Sequence, residues 1–216
     1  VAGDDYIYAF SSILNNSGIT NLNSTSGQPL LNQGGASFFN TNTGTLNQLA
    51  SGSKIVGMAL NNAGLVDVQS GTLRLAGGGT HTGTLRIGAG NTLDFSGGSA
   101  SIQAGTVIDN QGTLQTSSTG VLNFDTAFTL PRLTLAGGSV GGSGSLTITD
   151  QFKVIATSTV TGTGTLTTSG TTTVDTGFND AAYLYLNSKV WNNTGTLNVA
   201  GDDYIYAFSS ILNNSG

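Results

Sequence analysis

The 216-residue chain contains no cysteine and no glutamate, and only 8% of its residues are charged. Without cysteine, disulfide bonds cannot contribute to its stability. Without glutamate, and with one methionine and six Lys and Arg, helices would lack the residues that they favour. Six basic residues in a chain of net charge −5 cannot form the basic stripe that binds nucleic acid, so we expect no nucleic-acid partner. No apolar run reaches about 18 residues, and this segment therefore predicts no membrane span.

What the chain has in abundance is glycine, with 33 residues, together with threonine, serine and asparagine. Hydrophobic residues make up 37% of the chain, which is more than a disordered chain of low hydrophobicity would carry. They occur in short alternating runs, as at 146–148 and 153–155, between glycine-rich or asparagine-rich turns. The composition and the pattern together predict an all-β protein.

A short period organises the end of the chain. The segments 183–195 and 204–216 follow one pattern, and each aligned pair lies 21 residues apart, as Tyr183 and Tyr204 or Gly195 and Gly216 do. A fixed period of this length is typical of a solenoid, in which each turn stacks on the one before. We therefore expect Tyr183 and Tyr204 to lie one rung apart, on the order of 5 Å between Cα atoms.

A second, longer period lies over the first. Residues 199–216 are identical to residues 1–18, so the sequence repeats after 198 residues. We interpret residues 1–198 as one repeat unit of about ten rungs, and 199–216 as the first rung of the next identical unit. No capping helix or charged closing segment is visible, and an uncovered rung is an open sheet edge. The predicted partners are therefore neighbouring identical units, joined head to tail in one continuous solenoid.

Strand and turn spacing predict the fold. Leu65 and Leu85 lie 20 residues apart in similar Leu-containing segments, and so do Leu146 and Leu166. Three short strands with tight corners fill such a period and leave no room for helical crossovers. We predict a parallel β-helix (a β-solenoid), right-handed and roughly triangular, with about 20 residues per rung. Its aliphatic side chains should face inward and threonine outward, with Asn and Gly at corners in the left-handed conformation.

Residues that could carry chemistry are scattered. The aspartates stand singly except for Asp4 and Asp5, and the lone His81 is expected in a surface loop. A metal ion at Asp4, Asp5 or Asp180 is the alternative that remains open. The sequence otherwise predicts no catalytic, cofactor-binding or metal-binding residue, and it indicates that the protein is not an enzyme.

Two other functions are open to a β-helix. A carbohydrate-active lyase or hydrolase would need acidic residues clustered on one face. An ice-binding solenoid would need regular threonine pairs on a flat face, and Thr-x-Thr patterns occur at 163–167 and 171–173. The scattered aspartates and the short extent of the threonine pattern make both functions secondary to a structural role.

The corners carry a resemblance to known proteins. The Asn-x-Gly-x-Leu pattern and its variants at 42–46, 62–65, 110–114 and 193–197 resemble the β-helical shafts of filamentous-haemagglutinin-type adhesins and autotransporter passenger domains. This resemblance implies a bacterial, extracellular, cell-surface protein and transfers no functional residue. It favours a structural fibre or adhesin shaft for surface attachment, cell–cell contact or biofilm matrix. Lateral bundling of fibres and binding of surface glycans are further partners that it implies.

Overall fold

The computed structural model describes residues 1–176 and 183–216, which form strands and turns with no helix. Its strands, in chain order, are β1 Ala2–Gly3, β2 Ile7–Ala9, β3 Ile13–Asn16, β4 Ile19–Ser24, β5 Leu30–Asn32, β6 Ser37–Asn40, β7 Thr45–Gln48, β8 Ser53–Val56, β9 Ala59–Asn62, β10 Leu65–Val68, β11 Thr72–Leu75, β12 Gly79–His81, β13 Thr84–Ile87, β14 Thr92–Phe95, β15 Ser99–Ile102, β16 Val107–Asn110, β17 Thr113–Phe124, β18 Phe128–Gly141, β19 Leu146–Val154, β20 Ser158–Val160, β21 Leu166–Thr168, β22 Thr171–Val174, β23 Tyr183–Asn187, β24 Val190–Asn193, β25 Thr196–Val199, β26 Tyr204–Phe208 and β27 Ile211–Asn214. Every pairing between them is parallel, as stacked turns of one coil require.

The coil has three sides, which we call faces A, B and C. Face A comprises β1, β4, β7, β10, β13, β16, β21, β24 and β27. Face B comprises β2, β5, β8, β11, β14, β22 and β25. Face C comprises β3, β6, β9, β12, β15, β20, β23 and β26. The long strands turn corners: β17 covers faces B and C, β18 covers A, B and C, and β19 covers A and B.

The predicted fold class is confirmed. The protein is an all-β parallel β-solenoid with about 10 turns of roughly 21 residues each. Bends at 25–27 and 33–35 connect β4, β5 and β6. The hand of the coil stays a prediction.

The core is a stack of inward side chains. Leu73, Leu93 and Leu114 follow one another in register on face B, and each is at most 1% exposed. Burial of one such side chain contributes on the order of 1.5–3 kcal/mol. The largest buried side chain, Trp191, packs edge-on against Phe152 with ring centroids 6.1 Å apart. Stacked apolar columns therefore stabilise the coil, as the alternating pattern predicts.

The expectation that threonine faces outward is wrong at several positions, and other polar side chains also face inward. Thr116, Thr168 and Thr172 are fully or almost fully buried, and so are two lysines. The ammonium group of Lys54 donates to the carbonyl of Ser26 over 3.0 Å, so the cation is solvated by the backbone. Thr116 and Thr168 also have hydrogen-bond acceptors, in the carbonyl of Gly137 and the amide of Asn193, whereas the hydroxyl of Thr172 is buried without a partner.

The Asn-x-Gly corners have a different cause from the predicted one. Gly44 and Gly64 do not have positive φ; a Cβ atom at Gly64 would lie only 2.2 Å from the carbonyl oxygen of Gly44 on the rung before it. Glycine is needed there because the backbones of successive rungs approach closely. Left-handed backbone occurs at other glycines, such as Gly52 and Gly71 (φ 77° and 65°), as predicted for corner glycines. It also occurs, unpredicted, at a serine that recurs in three rungs, at Ser11, Ser188 and Ser209 (φ 43°, 52° and 47°).

Candidate assembly site at the terminal rungs

The duplicated sequence forms a rung that continues the coil. Strand β26 pairs in register with β23, and β27 pairs in register with β24. Tyr204 is the direct neighbour of Tyr183, which confirms that these residues lie one rung apart. The parallel pairings continue without a shift of register from the preceding rung to this one, so the sheets of faces A and C include the duplicated rung.

Aromatic side chains form a ladder on the outside of face C. The rings of Tyr183 and Tyr204 have centroids 5.9 Å apart, and those of Tyr185 and Tyr206 are stacked at 5.6 Å with an interplanar angle of 21°. Phe208 stacks on Tyr185 at 6.1 Å. Such pairs contribute about 0.5–1.5 kcal/mol each beyond the area that they bury. The ladder therefore holds the duplicated rung in register.

Asparagine side chains form a second ladder, inside the coil. Asn16 donates from Nδ2 to Oδ1 of Asn40 over 2.8 Å, and Asn40 donates in the same way to Asn62 over 2.8 Å. Asn40 and Asn62 are each 1% exposed. Each amide in the row therefore satisfies its neighbour one rung away, which a buried polar group requires.

The second copy of Asn16 takes part in an equivalent ladder, in which its partner lies on the preceding rung. Asn214, the copy of Asn16, accepts at Oδ1 from Nδ2 of Asn193 over 2.7 Å. Asn193 in turn accepts at Oδ1 from the hydroxyl of Thr168 over 2.7 Å. This asparagine therefore accepts a hydrogen bond from the preceding rung in the copy at Asn214, and donates one to the following rung in the copy at Asn16.

The corner glycine of the duplicated rung behaves in the same complementary way. No atom lies within 4 Å of a Cβ built on Gly18. At its copy, Gly216, a Cβ would lie 2.0 Å from the carbonyl oxygen of Gly195. The glycine is needed where a rung precedes it, and it is unconstrained where none does.

Two of the aspartates that remained open as metal ligands lie at a corner. Asp4 and Asp5 are exposed between β1 and β2, not side by side on a strand. The copy of Asp5, Asp203, accepts at Oδ2 from the backbone N–H of Thr176 on the preceding rung over 2.8 Å. Asp180 lies outside the described residues. Within residues 1–176 and 183–216, no group of three or more His, Cys, Asp or Glu side chains could hold a metal ion.

Ion pairs were not foreseen from the sequence, although the one-turn spacing of 18 to 20 residues could have revealed them. Each arginine contacts an aspartate on a neighbouring rung: Arg74–Asp94, Arg86–Asp67 and Arg132–Asp150. Asp67, with a side chain 4% exposed, receives Nε of Arg86 at 2.9 Å and Nη2 at 2.5 Å. The hydrogen bonds from Arg86 hold the pKa of Asp67 below its usual value, against the opposing effect of burial.

The prediction that His81 lies in a surface loop is wrong. His81 is 0% exposed in β12, where it lies between Asn62 and Ile102 on the adjacent rungs of face C. Its ring meets Phe95 edge-on with centroids 5.5 Å apart, and neither ring nitrogen has a hydrogen-bond partner. Burial lowers the pKa of His81 from 6.5 to about 4. The sequence carries no local signal for this burial, because the residues that enclose the ring lie about 20 positions away in either direction.

The two threonine patterns do not share a face. Thr167 lies in β21 on face A, whereas Thr171 and Thr173 lie in β22 on face B. Thr172 points inward and is buried. The Thr-x-Thr segments therefore do not combine into one flat threonine surface.

Comparisons with protein-family models, with curated proteins and with solved structures find no match for this chain. In the described part of the chain, no helix has the length and hydrophobicity to cross a membrane. The geometry of the terminal rungs is therefore the principal structural guide to what the protein does.

Proposed function

We propose that this chain is a segment of a structural extracellular fibre or adhesin shaft, built from tandem β-solenoid units of 198 residues. Such a shaft would serve surface attachment, cell–cell contact or a biofilm matrix. The observation that carries the proposal is the in-register pairing of the duplicated strands β26 and β27 with β23 and β24. A sequence that starts a unit is thereby accommodated as a regular rung on the end of the preceding one.

The surface of the coil supports a structural role. Its outward positions are rich in uncharged side chains, and the three arginines are engaged with aspartates on neighbouring rungs. The resemblance of the Asn-x-Gly corners to bacterial adhesin shafts supports the extracellular location. Neighbouring identical units are the proposed partners, and lateral bundling or contact with surface glycans would follow from repetition of one surface along the fibre.

The proposal assigns the chain no catalytic role. Asp4 and Asp5, the adjacent acidic pair, lie exposed at a corner, and the copy of Asp5 binds the backbone of a neighbouring rung. We expect no release of reducing ends from polysaccharides. Release that disappears in the Asp4→Asn, Asp5→Asn double variant would contradict this part of the proposal.

The continuous junction can be tested in a chain of two complete consecutive units. Gly18→Ala in the first unit should change the free energy of unfolding by no more than about 0.5 kcal/mol, because that Cβ meets no neighbour. The same substitution in the second unit should cost more than about 2 kcal/mol, because the new Cβ would lie against the carbonyl of Gly195. Urea unfolding monitored by the fluorescence of Trp191, which neighbours the junction rung, measures both.

Electron microscopy of the same two-unit chain and of longer arrays gives the second measurement. A smooth rod whose length grows by about 45 Å per unit is expected from a rise of about 4.8 Å per turn. Separate beads, together with equal effects of the two Gly18 substitutions, would mean that the duplicated segment is a linker and would overturn the proposal.

A further inference from the structure

The two copies of the duplicated sequence lie on different faces of the coil. Leu14 lies in β3 on face C, next to Phe38. Its copy, Leu212, lies in β27 on face A, next to Trp191. The preceding strand is displaced in the same direction, because β2 lies on face B and its copy β26 lies on face C.

The displacement follows from the number of strand passes in a unit. Within residues 1–176 and 183–216, 24 strands run from β2 to β25, and β26 begins the copy of β2. Since β17 and β19 each cover two faces and β18 covers three, these 24 strands make four additional passes, or 28 in all. Three passes make one turn, so 28 passes make nine and one third turns, and the sequence restarts one face further round.

We propose that consecutive 198-residue units continue the coil with this displacement, so that each unit is turned by one face relative to the unit before it. The inference rests on the proposed tandem fibre and adds its symmetry. Three units, equal to 28 complete turns, would then pass before the same residue returns to the same face. The partner of each terminal rung is the adjoining copy of the same unit.

The structure contains both halves of the junction that the proposal requires. Leu14 is half-buried beneath Phe38, and Leu212 is 36% exposed beside Trp191, so each copy is covered from one side only. In an array one leucine would lie between Trp191 and the Phe38 of the next unit. Burial on both sides would complete the apolar column.

Hydrogen bonds complete the same junction. The copy at Asn214 accepts from Asn193, and the copy at Asn16 donates to Asn40, each through an atom that the other bond does not use. One asparagine in an array can therefore make both bonds at once. The buried ladder would pass from unit to unit without an unpaired amide.

The displacement changes the face on which each successive unit carries its aromatic cluster. The outward aromatic cluster of the junction, formed by Tyr183, Tyr185, Tyr204, Tyr206 and Phe208, lies on face C in this unit. It would lie on the next face in each following unit, about 45 Å further along the axis. A fibre of this kind has three equivalent sides, each with the same cluster once in three units.

Site-specific labelling tests the displacement directly. The natural chain has no cysteine, so Thr129→Cys in every unit of a six-unit array provides one attachment point per unit for a small maleimide–gold particle. Thr129 is exposed on face A, through the pairing of β18 with β19. The expected result in electron tomograms is a rod on which successive particles step round the axis by one third of a revolution.

A second label calibrates any twist of the coil. Ile19 is 72% exposed on face A of the same unit, five turns before Thr129. In the Ile19→Cys, Thr129→Cys double variant, the two particles within a unit should lie on one side of the rod, apart from that twist. The difference between the steps within and between units then isolates the displacement.

The outcomes separate the two proposals. Continuous rods whose particles form a single line, after the twist is subtracted, would overturn the displacement and leave the tandem fibre standing. Beads joined by flexible segments would overturn both. A step of one third of a revolution between units on smooth rods supports both.

Discussion

The buried histidine predicts a specific loss of stability in mild acid. His81 is enclosed by Phe95 and the adjacent rungs, and its ring nitrogens have no partner that could stabilise a positive charge. Burial lowers its pKa in the folded chain to about 4, from the 6.5 of an exposed histidine. Below pH 6.5 the unfolded chain therefore binds a proton that the folded chain does not bind.

The sign and the size of the effect follow from this difference. The free energy of unfolding falls as the pH falls from 6.5 to 4, by about 1.4 kcal/mol per unit, and the fall ends below the folded pKa. Between pH 7 and pH 5 we expect a loss of about 2 kcal/mol from this residue, approaching about 3 kcal/mol near pH 4. The contribution of Asp67, whose folded pKa lies below 3.8, is lost only at lower pH, as the pH falls through that folded pKa.

The assay compares the natural chain with His81→Leu in urea unfolding at pH 7, 6 and 5. Leucine is of similar volume and removes two unpartnered nitrogens, so the variant should be more stable at pH 7 by about 1 kcal/mol. The difference between the two proteins should then widen by about 2 kcal/mol at pH 5. Taking the difference cancels the titration of the aspartates that both proteins share.

The result that would refute this reasoning is equally specific. An equal pH dependence of the two proteins would mean that His81 is not buried as a neutral ring. Because it is the sole histidine, its ring protons can be followed by NMR, and a folded-state pKa near 6.5 would contradict the burial directly.

Three further predictions concern contacts between rungs. Asn40→Ala should cost about 2–4 kcal/mol in urea unfolding, because it removes one hydrogen bond from each of the inward amides of Asn16 and Asn62. Asn47→Ala, in an outward amide pair, should cost less than about 1 kcal/mol, and equal costs would argue against the inner ladder. Arg86→Gln should destabilise the fold by about 1–2 kcal/mol, because it leaves the almost buried carboxylate of Asp67 without its bidentate partner. Arg132→Gln, in the exposed pair with Asp150, should destabilise it by less than about 0.5 kcal/mol. Thermal unfolding at low salt measures both effects. Gly64→Ala should cost more than about 2 kcal/mol, because its Cβ would clash with two carbonyl oxygens, and a neutral result would contradict the close approach of the rungs.

Local features of the coil depend on few neighbouring residues. The corner serine has nearly the same left-handed φ at Ser11 and at Ser209, although the first turns from face B to face C and the second from C to A. The same holds for Gly3 and Gly201, both with φ 66°. Corner conformation and strand alternation are thus encoded within about ten residues, wherever these lie in the coil.

Side-chain environments were harder to predict, because they depend on residues about 20 positions away in either direction. The lone His81 was expected in a surface loop, but the rungs that carry Asn62, Phe95 and Ile102 enclose its ring. Gly64 was expected to need its freedom of φ, whereas the carbonyl of Gly44 on the rung before excludes a side chain. Neither reason is visible until the register between rungs is known.

The sequence by itself therefore determined a coil of short strands, the 21-residue spacing of its last rungs and the 198-residue duplication. Only the tertiary structure decided on which face each strand lies. The face of each strand depends on the number of passes that the chain has made before it. An error in the placement of one corner or one long strand would therefore move every later strand to the wrong face. The rung spacing suggested about ten turns per unit, and the parallel pairings resolve this to nine and one third, which places the two identical segments on different faces.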